Sequence, residues 1–289
     1  MSWETCKQSQ VLPAVKDACH AIAEELDVND LQLDTVVVWT APRSEAHAWL
    51  VSEGHHLPPL SGLYMAGSNL MFLLPPLTDK HVTERLILTI AHELTHAMTY
   101  TLRLQAGLYK DGNRARALGK VGSTSNAFEE GTAELLVHHI TQRLEEYFGL
   151  QIASKDKIYA KRAYKPQLTM ASILHGLITR QLMAEDRLTI PELPFLNVRQ
   201  QLQLAASRAT VQGRLIAKQV AEAQDIPLAD AQTLTTSLLQ MSASAARSEP
   251  KSLQAFIDQC WRLVDEAGII LEEDDRETSI LLDQALQTV

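Results

Sequence analysis

Thr89-Ile90-Ala91-His92-Glu93-Leu94-Thr95-His96-Ala97-Met98 is the stretch on which the reading of this chain turns. On a helix, residues four apart stand one above the other, so the His92 and His96 imidazoles can reach a single metal ion. Glu93, between them, is placed to take a proton from a water on that ion. The flanks fit a buried helix. Leu86, Ile90, Leu94 and Ala97/Met98 form an apolar stripe, while Arg85, Thr89, His92 and His96 lie on another face. The spacing predicts a helix capped by Thr78 or Asp79 and running to about Gln105.

Two histidines on zinc require a third protein ligand, which leaves the fourth position for water. The metzincin extension fails, because Thr99 and Leu102 stand where Gly and His are needed. The aspzincin G-T-x-x-D would start at Gly131-Thr132 but meets Leu135 instead of Asp. A glutamate on a following helix is well supplied by Phe128-Glu129-Glu130-Gly131-Thr132-Ala133-Glu134. Glu130 and Glu134 share one helix face, so the first can bind metal while the second orients a ligand histidine. Gly131 is expected to let this helix approach the first one closely. Asn126 and Glu129 have capping-box spacing, which predicts a helix start near Asn126 and an end near Phe148.

With these residues the chain resembles the gluzincin metallopeptidases, the superfamily of thermolysin and the leukotriene-hydrolase-type aminopeptidases. The resemblance covers roughly residues 85–170. It implies one zinc per chain held by His92, His96 and Glu130, with Glu93 as general base and Glu134 as orienting partner. The aminopeptidases also carry two tyrosines five apart, and Tyr159 and Tyr164 repeat that spacing. Tyr164 would then stabilise the oxyanion, with Tyr159 and His175 as alternatives. The chain departs from the pattern in three ways. Glu129 replaces an Asn, 33 residues separate His96 from Glu130, and Leu63 to Leu74 lacks the G-x-M-x-N segment. The last departure removes the main reason to expect an exopeptidase.

Outward from the motif, Leu31–Thr40, His47–Ser52 and Leu63–Leu74 read as strands, with turn residues Gly67-Ser68-Asn69 inside the third. A helix is expected over Val11–Val28 and another over 165–186. After Pro194 the pattern is helical, with breaks at Asp225-Ile226-Pro227 and at Ser242 to Pro250. The expected fold class is α+β and zincin-like. It would have a small N-terminal mixed sheet with the active-site helices in residues 1–188, and a helical C-terminal subdomain in 189–289.

Composition narrows the partners. The 289 residues are 46% hydrophobic and 21% charged, which is globular and not disordered. Residues 250–289 carry three Lys/Arg against nine Asp/Glu, and so hold −6 of the net −9. No basic face for a phosphate backbone is legible, so nucleic acid is not expected as a partner. No apolar run approaches the ~20 residues of a membrane span. The start MSWETCKQSQ lacks a signal-peptide pattern, and three scattered cysteines suggest no disulfide framework. A cytoplasmic peptidase acting on a peptide or protein is the expectation, with the helical C-terminal part open to a protein partner. Two rivals stand beside it. One is an inactive zincin serving as a protein-binding module. The other is a di-iron carboxylate protein built on Glu93-x-x-His96, for which Glu134 to His138 is one residue too long.

Overall fold

The computed structural model describes residues 8–25, 32–40, 48, 52, 62–65, 70–73, 82–105, 124–148, 165–183, 203–207, 209–247 and 252–271. Helix α1 (Gln8–Glu25) leads through a 3-10 turn (Gln32–Thr35) to β1 (Val37–Thr40), β2 (Gly62–Met65) and β3 (Leu70–Leu73). The helices α2 (Val82–Gln105), α3 (Thr124–Phe148) and α4 (Lys165–Thr179) follow, then α5 (Ala209–Gln224), α6 (Leu228–Arg247) and α7 (Leu253–Glu266). The sheet order is β1-β3-β2, parallel between β1 and β3 and antiparallel between β2 and β3.

The α+β expectation is corrected here: the described chain is mostly helical. The three strands have four residues each, and Gln32–Thr35 of the expected first strand form the 3-10 turn. Side chains alternate across a strand, so four residues offer at most two to a core. The sheet buries Tyr64, Met71 and Leu73, whereas α2 alone buries Ile87, Ile90, Ala91, Leu94, Ala97, Met98 and Tyr100. Burial, and with it the hydrophobic driving force, therefore belongs to the helices. Of the expected strand His47–Ser52, only Ala48 and Ser52 lie among the described residues.

Two apolar clusters meet along α3. The first joins α1, the sheet and α2 to Leu136, Val137 and Ile140 of α3. The second joins Ala127 and Phe128 to α4, α5, α6 and α7, so helices beyond residue 209 pack directly on α4. Helix ends follow local chemistry. Arg180 and Asp225 take left-handed backbone with φ of 58° and 52°. Each is followed by an N–H reaching back five residues, Gln181 to the Gly176 carbonyl and Ile226 to the Ala221 carbonyl. The expected break at Asp225-Ile226-Pro227 is this cap. Ser252 opens α7 by accepting from the Ala255 N–H at 3.3 Å. Of the expected break at Ser242 to Pro250, the first residues belong to α6, which continues to Arg247, and the next helix opens only at Leu253.

Gly131 is required, but by a different neighbour from the one expected. A Cβ there would stand 2.2 Å from the Gln167 carbonyl oxygen of α4. Glu130 turns toward α2, and the next residue, about 100° further round the helix, meets α4 instead. Gly131→Ala therefore forces two helix backbones apart. The expected cost is about 3 kcal/mol, seen as a Tm lower by about 5–10 °C in thermal unfolding. A Tm within 1 °C of the parent protein would show that the close approach is not needed.

Candidate metal centre

Helix α2 presents His92 and His96, and α3 presents Glu129, Glu130 and Glu134 opposite them. His92 Nε2 stands 3.1 Å from His96 Nε2 and 3.1 Å from Glu130 Oε2. His96 Nε2 is 3.5 Å from the same carboxylate oxygen. A tetrahedral ion with bonds of about 2.0–2.1 Å holds its ligand atoms about 3.3–3.4 Å apart, so this triangle fits one ion. Among the described residues, His92, His96 and Glu130 form a group that could hold a metal ion. Their side chains keep 11%, 13% and 15% of their exposure, so solvent still reaches the group.

The other ring nitrogens face carboxylates. His92 Nδ1 lies 3.0 Å from Glu134 Oε1, and His96 Nδ1 lies 3.3 Å from Glu129 Oε1. Such pairs set ring orientation and present Nε2 to a metal. Asn126 Nδ2 donates to Glu130 Oε1 at 3.2 Å, which leaves Oε2 directed at the histidines. The capping box is thereby corrected. The helix starts at Thr124, Asn126 serves Glu130, and Glu129 is buried against Arg103.

Beside this group lies Glu93. Strand β2 crosses it at Gly62, where a Cβ would meet Thr89 Cγ2 at 2.5 Å and Glu93 Oε1 at 3.1 Å. The Tyr64 backbone N–H donates to the Glu93 carboxylate. Among the described strands β2 is an edge strand, paired only with β3. Its glycine is what allows the sheet to lie this close to the carboxylate.

The charges respond to one another. Burial alone works against the charged form of every group here. For His92 that effect is outweighed by hydrogen bonds to Glu130 and Glu134, and its imidazole is pushed up to about 9. His96, despite burial, is held well above the ordinary imidazole value by Glu130 and Glu129. Glu130 and Glu129 are held below the usual carboxylate range against burial, Glu130 by His96 and His92, Glu129 by Arg103 and His96. Glu93 shifts the other way. Burial lifts its carboxyl, and the neighbouring histidines only partly offset this. Glutamates thus outnumber the single guanidinium of Arg103, and the centre attracts positive charge, as protons on imidazoles or as a metal cation.

Tyr164 and Tyr159 lie outside the described residues, as do residues 106–123. His175 is buried against Phe128, with ring centroids 5.2 Å apart, and its Nε2 is 3.4 Å from Thr132 Oγ1. Thr132 follows Glu130 by two residues, about 200° around the helix, so His175 serves the α3–α4 packing and not the metal group. Burial lowers its pKa to about 3. In the unfolded chain an imidazole titrates near 6.5, so the unfolded state takes up a proton that the folded state refuses as pH falls from about 6.5 to about 3. That stability is complete above about 6.5 and is lost at about 1.4 kcal/mol per pH unit below it. His175→Gln removes the term. Denaturant unfolding is expected to show the parent protein losing about 2 kcal/mol more than the variant between pH 7.5 and pH 5. Equal losses would show that His175 charges within the fold.

Sequence reasoning missed Arg103 and the contact of Glu129 with His96. A signal was present: Arg103 follows His96 by seven residues, two turns along the same face of an otherwise uncharged helix segment. No protein-family model matches this chain, and no characterised protein or solved structure matches it either. Among the described residues no helix is long and apolar enough to cross a membrane.

Proposed function

We propose that the chain is a zinc-dependent metallopeptidase. The observation that carries the reading is the convergence of His92 Nε2, His96 Nε2 and Glu130 Oε2 within 3.1–3.5 Å, with the buried Glu93 carboxylate beside them. Two imidazoles and one carboxylate, each further fixed by a polar partner, suit zinc with an open position. When bound, zinc supplies a Lewis acid that acidifies water and polarises a carbonyl.

The protein's own groups supply the rest. Glu93, with its pKa raised by burial, accepts a proton from the attacking water and later delivers it to the leaving amine. Its position under Gly62 and the Tyr64 N–H keeps the carboxylate from swinging away. Strand β2 is the edge to which an extended peptide would add as a further strand, bringing a peptide bond close to Glu93. The phenol of Tyr164 remains the proposed oxyanion donor, on the family resemblance alone.

The test combines metal analysis with hydrolysis. Protein purified without chelator is expected to contain about one zinc per chain by mass spectrometry. It is expected to cleave members of a peptide library, to stop on chelation and to recover with added zinc. Bound zinc with no cleavage of any peptide would leave a metal-containing binding module. Protein that takes up no zinc would overturn the reading altogether.

A further inference from the structure

Arg103 is only 3% exposed. Burying a guanidinium this deeply is tolerable only when its N–H groups are matched. Its Nη1 and Nη2 fork onto Glu129, at 3.3 Å to Oε1 and 2.7 Å to Oε2. Nη2 also donates to the Ala205 carbonyl at 2.7 Å, and Nε donates to the Ala206 carbonyl at 3.3 Å. Those acceptors lie 102 and 103 residues down the chain. They belong to a short helical turn at 203–206, and the last turn of a helix offers its carbonyls to partners outside that helix. Gln212 of α5 also holds this turn, donating to Leu204 O at 3.0 Å and Ala205 O at 3.4 Å. From Glu129 the path continues to His96 Nδ1 at 3.3 Å. It ends at His96 Nε2, an atom of the metal group.

Each link constrains the next. An imidazole ring turns freely unless its second nitrogen is tied, and the tie decides where Nε2 points. A glutamate can tie it only if its own carboxylate cannot rotate, which a forked guanidinium prevents. The guanidinium is fixed in turn by carbonyls of a turn packed on α5. We infer that Arg103 is a positioning residue of the metal centre, anchored by the 203–206 turn, so that the helical C-terminal part is a component of the centre. The inference rests on the metal centre proposed above, though not on the reaction it performs. The competing possibility is that Arg103 and Glu129 only pin α2 to α3. In that case metal affinity would be indifferent to them.

The test uses the full chain. Zinc affinity is measured by competition with a chromophoric chelator, and ligand geometry by the visible spectrum of cobalt(II)-loaded protein. Glu129→Gln keeps the shape and a hydrogen-bond acceptor for His96 but loses the charged fork. Arg103→Lys keeps the charge but loses the fork. Each is expected to bind zinc about 10–100-fold more weakly and to alter the cobalt spectrum. The double variant should be little weaker than the weaker single variant, as expected of groups acting in series. Hydrogen exchange at residues 203–207 should be slower with zinc than with chelator in the parent protein, because coupling between linked sites is reciprocal. Should Arg103→Lys fail to fold, Glu129→Gln and the exchange measurement decide the matter. Affinity within twofold of the parent and an unchanged cobalt spectrum in Glu129→Gln would overturn the positioning role. Exchange at 203–207 that ignores zinc would overturn the anchor. A parent protein that binds no zinc fails earlier, at the metal centre itself, and is thereby distinguishable.

Discussion

Glu93→Gln is expected to retain one zinc per chain and to lose hydrolysis by a factor of about 10²–10⁴, the usual contribution of a positioned acid–base group. The substitution is nearly isosteric, so the amide can still fill the space under Gly62 and accept from the Tyr64 N–H. What it cannot do is take a proton. Because Glu93 is not in the His92, His96 and Glu130 group, metal content should not change. The check is kcat/KM on any peptide the parent protein cleaves, beside zinc analysis of the same sample. Turnover at the parent rate in pure variant protein would remove Glu93 from the reaction. Loss of zinc together with loss of turnover would instead make Glu93 part of the metal's support.

Glu130→Ala is expected to lose the metal. Its Oε2 is the atom that closes the triangle, 3.1 Å from His92 Nε2 and 3.5 Å from His96 Nε2. Two histidines alone fall short of the three protein ligands that such zinc sites use. The drop in affinity should therefore exceed the about 10–100-fold that changes in the supporting partners cause. The fold should survive, since Glu130 is only partly buried and Asn126, its other partner, can turn to water. Zinc titration of the variant with circular dichroism as a folding control is the measurement. Zinc bound as tightly as by the parent protein would show that another side chain is the third ligand.

These two outcomes test residues that were legible from sequence for a simple reason. His92, Glu93 and His96 lie within two turns of one helix, and Glu130 and Glu134 within two turns of another, so helical geometry alone groups them. Which helix faces which is not a local property. Asn126 and Glu129 have the spacing of a capping box, yet one serves Glu130 and the other pairs with Arg103, because α2 lies across that face. Gly131 could be recognised as a close-approach residue, but its neighbour, α4, is decided by packing about 36 residues further on. By sequence His175 is an alternative oxyanion donor, and only the positions of Phe128 and Thr132 place it in the core.

The fold class shows the same division. Strand-forming runs before residue 75 point to a small mixed sheet and an α+β class, and in the folded chain they yield three strands of four residues. The helices carry the burial, because a long helix has far more side chains to offer a shared core than a short strand. By itself the sequence determined that two imidazoles and a glutamate share a helix, that acidic groups share another, and where α5 stops before α6. Tertiary structure alone decided that Gly62 brings a strand onto Glu93, and that Arg103 links His96 to carbonyls more than a hundred residues away. The physical reason is range. Periodicity and capping act over one or two turns, whereas a buried charge finds its partners wherever packing of the whole chain brings them.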